Sequence, residues 1–406
     1  MNDSNRATQF DRRQFVAGLA SASLTIGRAA AQTGVSSDAA DVAANVGERQ
    51  LHNFLKTLLP TSEDIDNWLD GSAFPFCKYD RELGYLHIDR DFREGQDGAN
   101  CRYRYDELDA RVMFAHADKP CRINTYGNSF TSCEQVSDAE TWQEVLAAHL
   151  GEPVRNYGIG GYSVYQSYLR MLREERRAPA KYIIFNIFDD DHCRNLHGWQ
   201  RFKFGVNKIS TNPTVPHVQM GLTRRQIIER PNPCPTPKSI YALCSLDSVY
   251  DLFKDDFVLK NRVMRDAEKL AGRPVPPTDY DDERLMRHGI FATTAIIDRV
   301  QKYARRNGKQ ILYVLSYGGY TIKQFIDNGF RFDQSLVEFF EKRKLPYVDL
   351  MQAHKEDAAN FKVSTDQYLA RYFIGHYRPL GNFFCAFALK DALVKQLQPK
   401  PPAYVR

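Results

Sequence analysis

The 406-residue sequence has no Cys-x-x-Cys pair and no cysteine–histidine spacing of the zinc-ligand type. Its eight cysteines (Cys77, Cys101, Cys121, Cys133, Cys193, Cys234, Cys244, Cys385) occur singly, which excludes a zinc module. It has no internal repeat, so a solenoid or propeller is excluded. It also has no block of like charge. The net charge of +5 is mild and dispersed, and nucleic acid is not implied. The apolar run at residues 17–26 is too short to span a membrane. What remains is a chain of ordinary composition, 43% apolar and 26% charged, long enough for a full core.

The first thirty-odd residues read as an address rather than as fold. Asp11-Arg12-Arg13-Gln14-Phe15-Val16 precedes the small-residue apolar run, and Arg28-Ala29-Ala30-Ala31-Gln32 supplies an A-x-A cleavage site. The paired arginines look like a twin-arginine export signal, with the export machinery as a partner and a periplasmic or secreted destination. Cleavage after Ala31 would remove four arginines and two aspartates and leave a charge of about +3. An oxidising compartment allows disulfides. Cys77 with Cys101, and Cys234 with Cys244, are the pairs that sequence proximity suggests.

Residues 32–48 read as a flexible leader and 49–118 as a small pre-domain. The pre-domain should hold a helix from Gln50 to Leu59. A hairpin should follow, in which 101–105 returns through a turn at 106–109 to 111–114. From Cys121 the rhythm is α/β. Strands are expected at 122–126, 154–157 and 182–188, with helices at 138–150 and 164–176 between them. Tyr182-Ile-Ile-Phe-Asn-Ile-Phe188 is a near-continuous apolar run, as in a strand buried on both faces. Residues 192–285 are proline-rich and too long for a loop, so they read as an inserted lid or subdomain. Helices at 291–306, 334–343 and 379–397 and strands at 310–315 and 346–350 complete a parallel sheet of five strands.

At the end of the first of these strands stands Gly127-Asn128-Ser129-Phe130. Asn128 and Ser129 could simply cap the next helix. Alternatively, Ser129 is a nucleophile at the carboxyl edge of the sheet, where open α/β folds keep their chemistry. Three later segments bear on the choice: 154-VRNYGIGGYSVYQ-166, 183-IIFNIFDDDHCRN-195 and 371-RYFIGHYRPLGNFFCAFAL-389. In order and placement the four segments resemble the blocks of the SGNH, or GDSL-like, hydrolase family, over roughly 120–398 apart from the insertion.

That resemblance implies a flavodoxin-like three-layer sandwich around the five-stranded sheet. It carries the nucleophile role to Ser129, a backbone oxyanion donor to Gly161 and the general base to His376. The sequence departs from the family in two places. Asp190 falls where the family has an asparagine donor, and an ionised carboxylate cannot donate. Either Asp190 is protonated, or Asn195 donates, or the site has another task. Phe373 occupies the usual triad acid position, three residues before His376. That leaves a Ser–His dyad oriented by a backbone carbonyl, or a carboxylate arriving from Asp366 or Asp349. Asn128, Asn195 and Trp199 are the expected substrate contacts, Trp199 as a stacking surface. The Asp189-Asp190-Asp191-His192 cluster suggests a metal only weakly, because adjacent strand residues face opposite ways. His149, His192, His197 and Trp142 read as structural.

The activity implied is hydrolysis of a short-chain, acetyl-type ester, often on carbohydrate, with no cofactor. Acyl transfer to a sugar hydroxyl and non-catalytic carbohydrate binding are the alternatives.

Overall fold

Seven consecutive buried residues, Tyr182–Phe188, form the centre of the sheet, as their near-continuous apolar run predicts. The structure is a computed structural model that describes residues 47–72, 76–93, 99–204, 214–221, 226–274 and 282–405. The expected export signal and most of the leader lie outside these residues.

The sheet comprises β1 (Ile123–Tyr126), β2 (Arg155–Asn156), β3 (Tyr182–Phe188), β4 (Gln310–Ser316) and β5 (Tyr347–Asp349). Their order is β2-β1-β3-β4-β5, all pairs parallel. This is the doubly wound, flavodoxin-like order, whose chain reversal falls between β1 and β3. Two groups of mutually packed helices flank it. One contains Trp142–Leu150, Leu350–Ala358 and Pro379–Gln396, the other Val164–Arg177, Glu283–Arg306 and Gln334–Arg343.

Several elements differ from expectation. The long helix begins at Glu283 rather than 291, because the Asp282 side chain caps it by accepting from the N–H groups of Arg284 and Leu285. Helices Gly319–Asn328, Leu350–Ala358 and Thr365–Tyr372 were not anticipated. The turn at 106–109 forms, but it closes on a single bridge, Tyr105 to Arg111. Strand Cys101–Tyr103 pairs instead with Arg90–Phe92. None of the eight cysteines is in a disulfide, so neither suggested pair forms.

The described residues pack as one compact unit, with those of the 49–118 region docked within it. Arg111 N–H donates to the Asn156 carbonyl at 3.0 Å and so covers the short edge strand β2. Tyr162 Oη donates to the Tyr85 carbonyl at 2.6 Å, and Arg173 pairs with Asp80 at 2.8 Å. The insertion contributes an antiparallel pair, His217–Met220 with Ile227–Arg230, and helices Leu246–Phe253 and Phe257–Leu270. No helix among the described residues is long and apolar enough to cross a membrane.

Candidate active site

β1 ends at Tyr126, and the chain turns through Gly127 into the short helix Ser129–Ser132. A Cβ on Gly127 would lie 2.2 Å from Thr131 Oγ1, so only glycine fits. Asn128 is the cap: its Oδ1 accepts from Phe130 N–H at 2.9 Å, and its Nδ2 donates to Asp191 at 2.9 Å. Fully buried and engaged at both ends of its amide, Asn128 builds the turn and offers no face to a substrate. Ser129 is thereby released from capping.

His376 lies 247 residues further on, in a two-strand hairpin (Phe373–Ile374 with His376–Tyr377). The hairpin turns at Gly375, whose φ of +91° suits glycine. The imidazole packs on the Phe130 ring at 4.9 Å, and Phe130 stacks on Phe188 at 4.3 Å. The His376 N–H donates to Gln135 Oε1 at 2.7 Å. These contacts bring Nε2 to 2.8 Å from Ser129 Oγ. Burial, and then the positive field of Arg194, push the imidazole down to about 4. It is therefore neutral at neutral pH and able to accept the serine proton.

Nδ1 of His376 is buried and has no hydrogen-bond partner among the described residues. Phe373 pairs across the hairpin with Tyr377, on the face opposite to Ile374 and His376, and its ring packs on Tyr377 and His354. An acid at 373 would therefore point away from the imidazole. Asp349 is bound to Arg331 and caps the helix at 350, while exposed Asp366 pairs with Lys323 at 3.1 Å. Both carboxylates expected as orienters of His376 are engaged elsewhere.

The third block also differs from its expected role. Asp190 forms an ion pair with Arg194 at 2.7 Å, the arrangement of an ionised carboxylate rather than of a protonated donor. Asp191 contacts the same guanidinium at 3.1 Å and accepts from Phe188 N–H. Asp189 turns the other way and accepts from Gly318 N–H and Thr321 Oγ1. Burial pushes Asp189 up to about 6 and Asp191 up to about 7, although these partners pull both back. No group of three or more His, Cys, Asp or Glu side chains is placed to hold a metal ion among the described residues.

The glycine turn after β2 lies against the turn that carries Ser129, since Ile159 N–H donates to the Gly127 carbonyl at 3.1 Å. Gly161 has a φ of +79°, and a Cβ there would lie 2.6 Å from Tyr85 Oη. Beside it, a Cβ on Gly160 would lie 1.8 Å from a carboxylate oxygen of Glu134. Glu134, a residue the sequence does not flag, also stands 3.7 Å from His376 Nε2. Asn195 and Trp199, by contrast, are core residues. Asn195 is fully buried, accepts from Tyr165 N–H and donates to Thr293 Oγ1. Trp199 is fully buried and stacks on Phe253. Neither presents a surface on which a substrate could rest.

No protein-family model and no curated protein sequence matches this chain. Among solved structures it is similar to a protein assigned to the lipolytic G-D-S-L family from Desulfitobacterium hafniense DCB-2. Identity is 10% and the TM-score 0.30, over 66% of this chain and 98% of that one. It is also similar to the acetyl xylan esterase AlAXEase, at 12% identity and a TM-score of 0.33, over 68% and 100%. Both likenesses are remote, and the fold is established by the strand order itself.

Proposed function

We propose that this chain is a serine esterase in which Ser129 and His376 act as a dyad on a short-chain, acetyl-type ester. The observation that carries this is the 2.8 Å contact of Ser129 Oγ with His376 Nε2 at the carboxyl edge of β1. His376 takes the serine proton as Oγ attacks the ester carbonyl. The N–H groups of Ser129 and Gly161 receive the oxyanion. The proton then leaves with the alcohol, and water, activated in the same way, releases the acid. A carbohydrate alcohol and export through the twin-arginine route belong to the same proposal. Export is supported by Arg12-Arg13 and the Ala29-Ala30-Ala31 site.

The test is hydrolysis of 4-nitrophenyl acetate and of acetylated sugars by the wild type and Ser129→Ala. Loss of the nucleophile should reduce kcat by about three orders of magnitude or more in a folded protein. Activity near the wild-type level would remove Ser129 from the mechanism.

A further inference from the structure

The residues after Ser129 follow an unusual path. Cys133 and Gln135 both adopt left-handed backbone, φ +59° and +73°, on either side of Glu134. Non-glycine residues in that region are uncommon and persist where surroundings enforce them. Here the enforcement is visible. Buried Arg111 donates to the carbonyls of Ser132, Cys133 and Val136 and pairs with Asp138 at 2.8 Å. Tyr103 Oη accepts from Gln135 N–H at 2.9 Å, and Glu134 N–H donates to the Ser129 carbonyl at 3.1 Å. The result is a buried carboxylate pressed against Gly160, 3.7 Å from His376 Nε2. Burying a carboxylate is costly unless a partner or a function offsets it.

We propose that Glu134 is the carboxylate partner of His376: it stands at the Nε2 edge instead of at Nδ1 and stabilises the imidazolium formed when Ser129 gives up its proton. The inference rests on the Ser129–His376 reading above. In the acylation step the Oγ–carbonyl bond forms, the carbonyl π pair moves to oxygen and the Oγ proton moves to Nε2. Glu134 keeps its own charge throughout and acts through His376 as an electrostatic partner.

The proposal has a pH signature. Burial pushes Glu134 up to about 7, against the pull of Arg194 and Arg111, while His376 is down near 4. Between these values the pair holds one proton, carried by Glu134. The remaining titratable groups around Glu134 stay neutral near pH 7. His87 is pushed down to about 3, and Tyr85, Tyr103, Tyr105, Cys77 and Cys101 are pushed up, all chiefly by burial. Asp190 is paired with Arg194, and Asp189 and Asp191 titrate near 6 and 7 from beyond it. The ionised form of Glu134 is the active one, so kcat should rise with pH through about 7.

The test compares the full mature chain with Glu134→Gln and Glu134→Asp. Glu134→Gln should lower kcat on 4-nitrophenyl acetate at pH 8 by on the order of 10- to 100-fold, with KM little changed. The limb near pH 7 should disappear in Glu134→Gln and persist in Glu134→Asp. A limb that survives in Glu134→Gln would belong to Asp191, and together with an unchanged kcat it would overturn the proposal. Activity that falls as pH rises through 7 would overturn it too, since the protonated form would then be the active one. Fluorophosphonate labelling of Ser129 is run alongside, and its absence would count against the dyad instead. In that event the proposal still stands or falls on a readout without substrate. The His376 ring nitrogens should show an NMR titration step near pH 7 in the wild type that is missing in Glu134→Gln. A ring indifferent to the substitution would overturn the pairing.

Discussion

Three consecutive aspartates follow β3 and one solitary glutamate follows the Ser129 turn, and they are used in opposite ways. Asp189, Asp190 and Asp191 are conspicuous in sequence, yet each is matched: two to Arg194, one to a backbone N–H and a threonine. Glu134 is inconspicuous, lies in no charged run, and stands 3.7 Å from an imidazole that is neutral at rest. The matched acids build structure. The poorly matched one stands beside His376, where the proposed reaction would develop a charge. Charge density along a sequence thus says little about where the chemistry lies, and the local balance of charge says more.

The comparison can be broken most forcefully at the clamp that presents Glu134. Arg111→Met leaves Asp138 buried without its partner and orphans several carbonyls, so a loss of about 3–5 kcal/mol is expected by chemical denaturation. A loss below ~1 kcal/mol would show that the strained turn is held by something else.

The next effect runs in the stabilising direction. Glu134 is pushed from an ordinary 4.5 to about 7, so the folded chain holds that proton more tightly than the unfolded one. Its contribution to stability is full below about pH 4.5 and is lost as pH rises through about 7. Glu134→Gln should therefore be more stable than wild type at pH 8, by on the order of 2–3 kcal/mol, and should gain nothing at pH 4. A variant that is slower yet more stable is the mark of a group retained for function. Destabilisation at pH 8 would place Glu134 with the structural acids.

Asp190→Asn is expected to do the reverse on a smaller scale. It removes one of the two carboxylates on Arg194 and should cost about 1–2 kcal/mol, with kcat little changed. A rate increase would instead revive an amide donor at this position. The smallest effect is expected from Phe373→Asp, which puts an acid three residues before His376 in sequence but not beside it in space. Position 373 faces Tyr377 and His354, so the rate should not rise. A gain in kcat would mean that the hairpin can rearrange.

Much of the frame is legible in the sequence. The run at 182–188 is apolar but for Asn186 because β3 is central, and the end of β1 puts Ser129 at the carboxyl edge, with His376 paired to it by the order of the four segments. What escaped had physical reasons. The helix at Gly319 starts with two glycines, a poor propensity signal. Asn195 and Trp199 are polar or large enough for a ligand, but Tyr165 and Thr293 enclose the one and Phe253 the other, and both are core. Asp366 and Asp349 are bound by Lys323 and Arg331, partners distant enough in sequence to be invisible there. Glu134 could not be found at all, because the left-handed residues beside it and the Arg111 clamp are tertiary features.

Everything rests on Ser129 and His376 working as a pair, and covalent labelling reads that directly. A fluorophosphonate should modify Ser129 in the wild-type protein, as mapped by peptide mass spectrometry. Its rate should fall by about two orders of magnitude or more in His376→Asn. Label on another residue, or Ser129 labelling at the same rate without His376, would contradict the dyad and return Ser129 to the role of a turn residue.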